Sequence, residues 1–191
     1  MSKYPRVTEI LRPFSGYDHV PKDVLDRAAA RGTQVHAICA GIAKGAWIPD
    51  SMIQEHLMGY ITSFKLWFSA QVKSCIIIEQ RYKDDDLQYS GQMDMVVVCN
   101  DDCMYLIDLK TSSRPQKTYP IQMAAYERLL RCHSIKVSGA MIVYLNKDGE
   151  FPDIHKLDDM TEELEVFYSA LKCWRYFNKE EKNGRTETKR P

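Results

Sequence analysis

Apolar residues recur at two different periods along the chain, and the change of period marks where helices give way to strands. Val35, Ile38 and Ile42 at spacings of 3 and 4 predict a helix over residues 33–43, with His36 beside the stripe. Pro21 suits the first turn of a preceding helix to about Ala30, and the first twenty residues read as an irregular lead-in. Asp50 or Ser51 can cap a longer helix to about Val72, which carries Ile53, Leu57, Tyr60, Ile61, Phe64 and Phe68 on one side. β-Branched runs then predict strands over residues 74–81, 91–99 and 103–110. A helix over 119–132 follows, then a strand over 137–145, a turn at 146–149, a short extended piece to Leu157 and a final helix to about Phe177. This order predicts an α/β fold with a mixed central sheet flanked by helices.

Two of the predicted strands carry a carboxylate among apolar neighbours, Asp94 and Asp108. Their linker, Asn100-Asp101-Asp102, reads as a three-residue hairpin loop, so Cys99 faces Cys103 and paired numbers sum to 202. Asp94 is then expected opposite Asp108, at a separation suited to sharing a cation, with Lys110 on the same face and opposite Gln92. A loop of even length would send the two acids to opposite faces. Two carboxylates, the backbone carbonyl of Leu109 and water make an oxygen-rich set suited to Mg²⁺ or Mn²⁺, and a neighbouring ammonium can orient an attacking water. Charges at strand ends are often merely solvated, so the hairpin by itself leaves a structural reading open.

Composition narrows the setting. Lysine plus arginine and aspartate plus glutamate number 26 each, so any basic surface for a nucleic acid must be local. The apolar runs are strand-sized, no secretory pattern opens the chain, and a cytoplasmic protein with no membrane partner is expected. Six cysteines without a Cys-x-x-Cys pair read as reduced core thiols. Residues 1–178 are expected to form one domain and 179–191 a charged, flexible tail. The run Asp84-Asp85-Asp86 lacks the spacing of a calcium loop and reads as a solvated turn.

Gly91-Gln-Met-Asp94, Ile107-Asp-Leu-Lys-Thr-Ser112, Gln122-Met-Ala-Ala-Tyr126 and the upstream Arg31-Gly-Thr-Gln-Val-His36 together resemble the PD-(D/E)XK nuclease superfamily, in its RecB-type and lambda-type exonuclease branch. The resemblance spans roughly residues 31–130. It implies a restriction-endonuclease-like core and a Mg²⁺- or Mn²⁺-dependent deoxyribonuclease acting on single- or double-stranded DNA ends, with a recombination or helicase partner for any unwinding. It also implies roles: His36, Asp94 and Asp108 as metal ligands, Lys110 as the catalytic lysine, and Gln122 with Tyr126 as the helix element facing the site. Glu79 is a provisional further ligand, and Arg114, Lys117 and Arg128 are candidate DNA contacts. The sequence departs from the pattern in having Met93 where the proline stands and aspartate at 108 where glutamate is frequent. It also lacks the clustered cysteines that hold an iron–sulfur cluster in some members, so no cluster is expected. The same hairpin serves structure-selective endonucleases, and a catalytically silent DNA- or partner-binding module is the reading outside enzymology.

Overall fold

The two helices expected between residues 21 and 43 are one. In the computed structural model, which describes residues 4–112 and 114–178, α2 runs unbroken over Lys22–Ala43, through Gly32. The expected tail, 179–191, lies outside the described residues. Glycine inside a helix costs about 1 kcal/mol against alanine, which neighbouring packing overrides here. The N-terminal lead-in is also more ordered than its sequence suggests: Val7–Leu11 forms a one-turn helix, α1, whose Val7, Ile10 and Leu11 are buried. Five residues are too few for a periodic signal, and the Glu9 carboxylate accepts the Arg6 N–H to close the first turn. Asp50–Met52 is a separate 3₁₀ turn, and the long helix α3 begins after it, over Glu55–Gln71.

Five strands follow: β1 (Val72–Asp84), β2 (Tyr89–Cys99), β3 (Met104–Lys110), β4 (Gly139–Tyr144) and β5 (Asp153–Leu157). They lie in the order β1-β2-β3-β4-β5; β3 and β4 are parallel and the other neighbours antiparallel. The parallel pair needs a crossover, which α4 (Thr118–Cys132) supplies, and α5 (Thr161–Phe177) ends the described fold. The sheet separates two cores. On one face α1, α4 and α5 pack Val7, Leu129 and Phe167 against Val96 and Leu106; on the other α2 and α3 pack Val35, Phe64 and Trp67 against Val97 and Ile107. Each fully buried large side chain contributes roughly 1.5–3 kcal/mol, which makes the two interfaces the main source of stability. Among the described residues no helix is long and apolar enough to cross a membrane, and all six cysteines are free.

The β2–β3 loop has the odd length the sequence suggests. Val98 pairs with Met104 and Met95 with Ile107, each summing to 202, the Cys99 N–H donates to the Cys103 carbonyl, and Asp102 takes the left-handed conformation (φ 61°) that closes such a loop. The ladder stops at Met95–Ile107, one step short of the acids. Beyond it β3 stays bonded to β4 through Lys110, while β2 stays with β1, so the sheet opens at Asp94. The bend is visible in two further facts: Glu79, across from Asp94 on β1, has φ 51°, and Met93 joins the α4–α5 core whereas Met95 joins the α2–α3 core. Strict alternation would put both methionines on one face.

Candidate active site

The opening between β2 and β3 is where three polar side chains from three elements converge. Asp94 is held edge-on in the gap: its Oδ2 accepts the Leu109 N–H at 2.7 Å, a donor that a continuing ladder would have used, and its Oδ1 lies 3.0 Å from His36 Nδ1. His36 arrives from α2, whose neighbouring Val35 and Cys39 are buried and fix the helix against the sheet. Glu79 comes from the bend of β1, and ligand atoms of His36, Glu79 and Asp94 all lie within 4.8 Å of one another. Gln92 Nε2 donates to Glu79 Oε2 at 2.6 Å and Arg81 donates to Gln92, so Gln92 does not face Lys110 as the extrapolated register requires. The separation of β2 from β3 is the reason.

Asp108 stands beside this trio rather than in it. It is 4% exposed; Gln122 Nε2 donates to its Oδ1 at 2.8 Å, and Lys110 Nζ lies 2.7 Å from its Oδ2. The Lys110 contact is close but poorly directed, which leaves the buried Oδ2 without a well-aligned donor. Gln122 Oε1 in turn accepts from Lys110 Nζ at 3.5 Å, and the ammonium sits 4.2 Å from the Tyr119 ring centroid. One glutamine thereby fixes both an acid and an amine. Tyr126, one turn on, is 4% exposed and packs its ring against Gly91, where a Cβ would lie 2.5 Å from Cε1.

The environment drives the two carboxylates in opposite directions. Burial alone would raise Asp94, but the charge and hydrogen bond of His36, the Leu109 N–H and Lys110 outweigh it and hold the group below the ordinary carboxylate range. Burial raises Asp108, Lys110 opposes it, and the repulsion of Asp94 adds to the rise. Burial pulls His36 down, yet Asp94 and Asp108 push it up to about 9, so the imidazole is protonated at neutral pH while no cation shares the acids. Divergent titration of neighbouring acids is a mark of functional sites.

The fold has a solved counterpart. The crystal structure of a protein from Eubacterium rectale named "Putative exonuclease" aligns over 90% of this chain and 78% of that one, with 15% sequence identity and a TM-score of 0.55. A second crystal structure, of a protein named SSO0001, aligns over 91% of this chain and 77% of that one with 13% identity, but its TM-score of 0.40 is too low to argue from. No family model and no curated relative matches the sequence. At this identity the first likeness establishes a shared fold and nothing about individual residues.

The remaining sequence candidates fall in different places. Arg114 and Lys117 are exposed between β3 and α4. Arg128 is not free to meet a phosphate as the sequence suggests: its Nε donates to Asp84, which is 1% exposed and also accepts the Asp86 and Leu87 N–H groups. The first aspartate of the supposed solvated turn is thus a buried structural acid. A groove of about 750 Å³ beside His36, Glu79 and Asp94 is lined by Arg6, Lys44 and Arg81, three cations that sequence reasoning missed. Arg81 had a signal, lying two residues after Glu79 on the same strand. Arg6 and Lys44 reach the groove only through the packing of α1 and the end of α2, which no local pattern encodes.

Proposed function

We propose that the chain is a divalent-metal-dependent deoxyribonuclease of the PD-(D/E)XK type, with residues 1–178 as one nuclease domain, and that it is an exonuclease hydrolysing phosphodiester bonds at DNA ends in recombination, repair or replication. The observation that carries the reading is the opened end of β2 and β3, where two carboxylates of opposed titration stand beside a histidine, a lysine and a third acid. The donors fit Mn²⁺ or Mg²⁺: an imidazole and carboxylates are the ligand types such ions take, and the buried Asp108 Oδ2 lacks an aligned donor. His36, Glu79, Asp94, Asp108 and the Leu109 carbonyl are the groups that would hold the ion. A bound divalent cation supplies charge against the developing negative charge of the phosphodiester and makes water more acidic.

The chain's own groups divide the rest of the work. Lys110, clasped by Asp108 and Gln122, is the ammonium placed to orient an attacking water and to steady the negative charge left when that water's proton passes to solvent. Gln122 holds that amine and Asp108 in register, and Tyr126 braces α4 against Gly91, keeping Gln122 at its post. Lys44 and Arg81 give the groove the local positive charge that the neutral overall composition withholds, Arg6 being paired with Glu9, and the exposed Arg114 and Lys117 stand outside that groove as further candidate DNA contacts.

The test is digestion of end-labelled linear and closed circular DNA, single-stranded and duplex, with Mg²⁺ or Mn²⁺. Linear DNA is expected to shorten from its ends while the circle survives, and Asp108→Ala and Lys110→Ala are expected to lower the rate at least a hundredfold. Cut circles would replace the exonuclease by an endonuclease; full activity in both variants would end the nuclease reading.

A further inference from the structure

Among the described residues no acid balances the charge of Arg31. It lies half-buried on α2, and among the described residues it has no carboxylate partner; its Nε is shielded from solvent and makes no hydrogen bond. Its guanidinium carbon sits 5.6 Å from the Tyr60 ring centroid. A guanidinium over an aromatic face keeps its terminal N–H groups available to a planar or tetrahedral oxyanion. An unpaired half-buried cation costs stability, so a partner from outside the chain is the economical account of it.

The neighbourhood says where that partner would lie. Gly32 brings α2 against the end of β3: a Cβ there would stand 3.8 Å from Thr111 Oγ1. Thr111 follows Lys110 directly, is only partly covered, and its hydroxyl makes no hydrogen bond among the described residues. Tyr60 and Thr111 face a common cavity of about 180 Å³, whose walls also include Lys147, Asp148 and Asp153 but not Arg31, so Arg31 meets an anion beside Tyr60, outside the acid-lined part of the cavity. Arg31 and His36 are five residues apart on one helix, about 7.5 Å along its axis, a length on the order of one nucleotide.

We infer that Arg31 and Thr111 form a subsite for a DNA backbone phosphate, one that neighbours the phosphate being cut. The inference rests on the nuclease reading and adds to it a strand-positioning role for two residues outside the metal and lysine set. Arg31 supplies its terminal N–H donors beside the Tyr60 ring, and Thr111 contributes one further hydroxyl donor.

Equilibrium binding of fluorescent single-stranded and duplex oligonucleotides in EDTA, where no strand is cut, tests this across a range of salt. Arg31→Gln is expected to weaken binding about tenfold and to lower the log–log salt slope by about one phosphate contact. Arg31→Lys should keep the slope and recover part of the affinity, and Thr111→Val should weaken binding a few-fold without changing the slope. Mn²⁺ binding by calorimetry is expected to stay at the wild-type value in Arg31→Gln. Wild-type affinity and slope in Arg31→Gln would overturn the subsite, as would a joint loss of Mn²⁺ binding, which would mark Arg31 as structural. If Arg31→Gln does not fold, wild-type DNA binding in both Arg31→Lys and Thr111→Val overturns it. Wild-type protein that binds Mn²⁺ but no DNA would end the nuclease reading and the subsite together, whereas loss confined to the Arg31 and Thr111 variants supports both.

Discussion

Gly91→Ala makes the coupling between packing and chemistry measurable. The added Cβ would stand 2.5 Å from Tyr126 Cε1, 2.8 Å from Cδ1 and 3.0 Å from Leu129 Cδ1, whereas carbon atoms rest at ~3.5–4.0 Å. The ring must therefore retreat by about 1 Å. Tyr126 and Leu129 are both buried, so the retreat moves α4 rather than a single side chain. Overpacking of this kind costs about 1–3 kcal/mol, and removing a glycine from a strand returns about 0.5–1 kcal/mol. A net loss of about 1–2 kcal/mol lowers the melting temperature by roughly 2–8 °C in a chain of this size. The effect on cleavage is expected to be larger than the effect on stability, because α4 carries the Gln122 that fixes Asp108 and Lys110; a misplacement of about 1 Å lowers kcat about a hundredfold. Thermal melts and single-turnover digestion on the same preparation give both numbers. Unchanged melting would refute the packing argument, and a melting loss with unchanged kcat would refute the claim that α4 positions the site.

Other perturbations separate the parts. Gln122→Leu removes a donor from a buried carboxylate and is expected to cost about 1–3 kcal/mol in the melt and at least tenfold in kcat, with KM little changed. Asp84→Ala strands Arg128 and two backbone N–H groups and is expected to cost about 3–5 kcal/mol by urea unfolding, while cleavage by the folded fraction stays at the wild-type rate. His36 in the metal-free protein is pushed up to about 9, so its charge contributes stability that is complete below pH 6.5 and lost as pH rises toward 9. Melting in EDTA should fall by up to about 3 kcal/mol over that window, and His36→Gln should flatten the profile.

How much of this the sequence revealed follows from which features are local. The strands, α4 and α5 were legible because each is long enough to show its period; the hairpin register followed from reading the loop as three residues long, and the left-handed Asp102 that closes it emerged only in the structure. Asp94, Asp108 and Lys110 stood out as charged groups in two apolar strands of one hairpin, whereas Gln122 and Tyr126 were marked only by the family resemblance. The opening of the sheet was not legible, since a positive φ at Glu79 is imposed by tertiary packing rather than by that residue's preference. For the same reason Lys110 was expected opposite Gln92, and the Glu79–His36–Asp94 grouping emerged only in three dimensions. Arg128 misled because an exposed-looking arginine on a helix gives no sign of a buried acid 44 residues away.

Titration of the metal-free protein with Mn²⁺, followed by calorimetry, addresses the central claim most directly. The wild-type chain is expected to bind Mn²⁺ with release of protons, because His36 must lose its charge to become a ligand. Asp94→Asn is expected to abolish both the binding and the proton release. Equal Mn²⁺ uptake by the wild type and Asp94→Asn would mean that the gap between β2 and β3 is not where the ion sits.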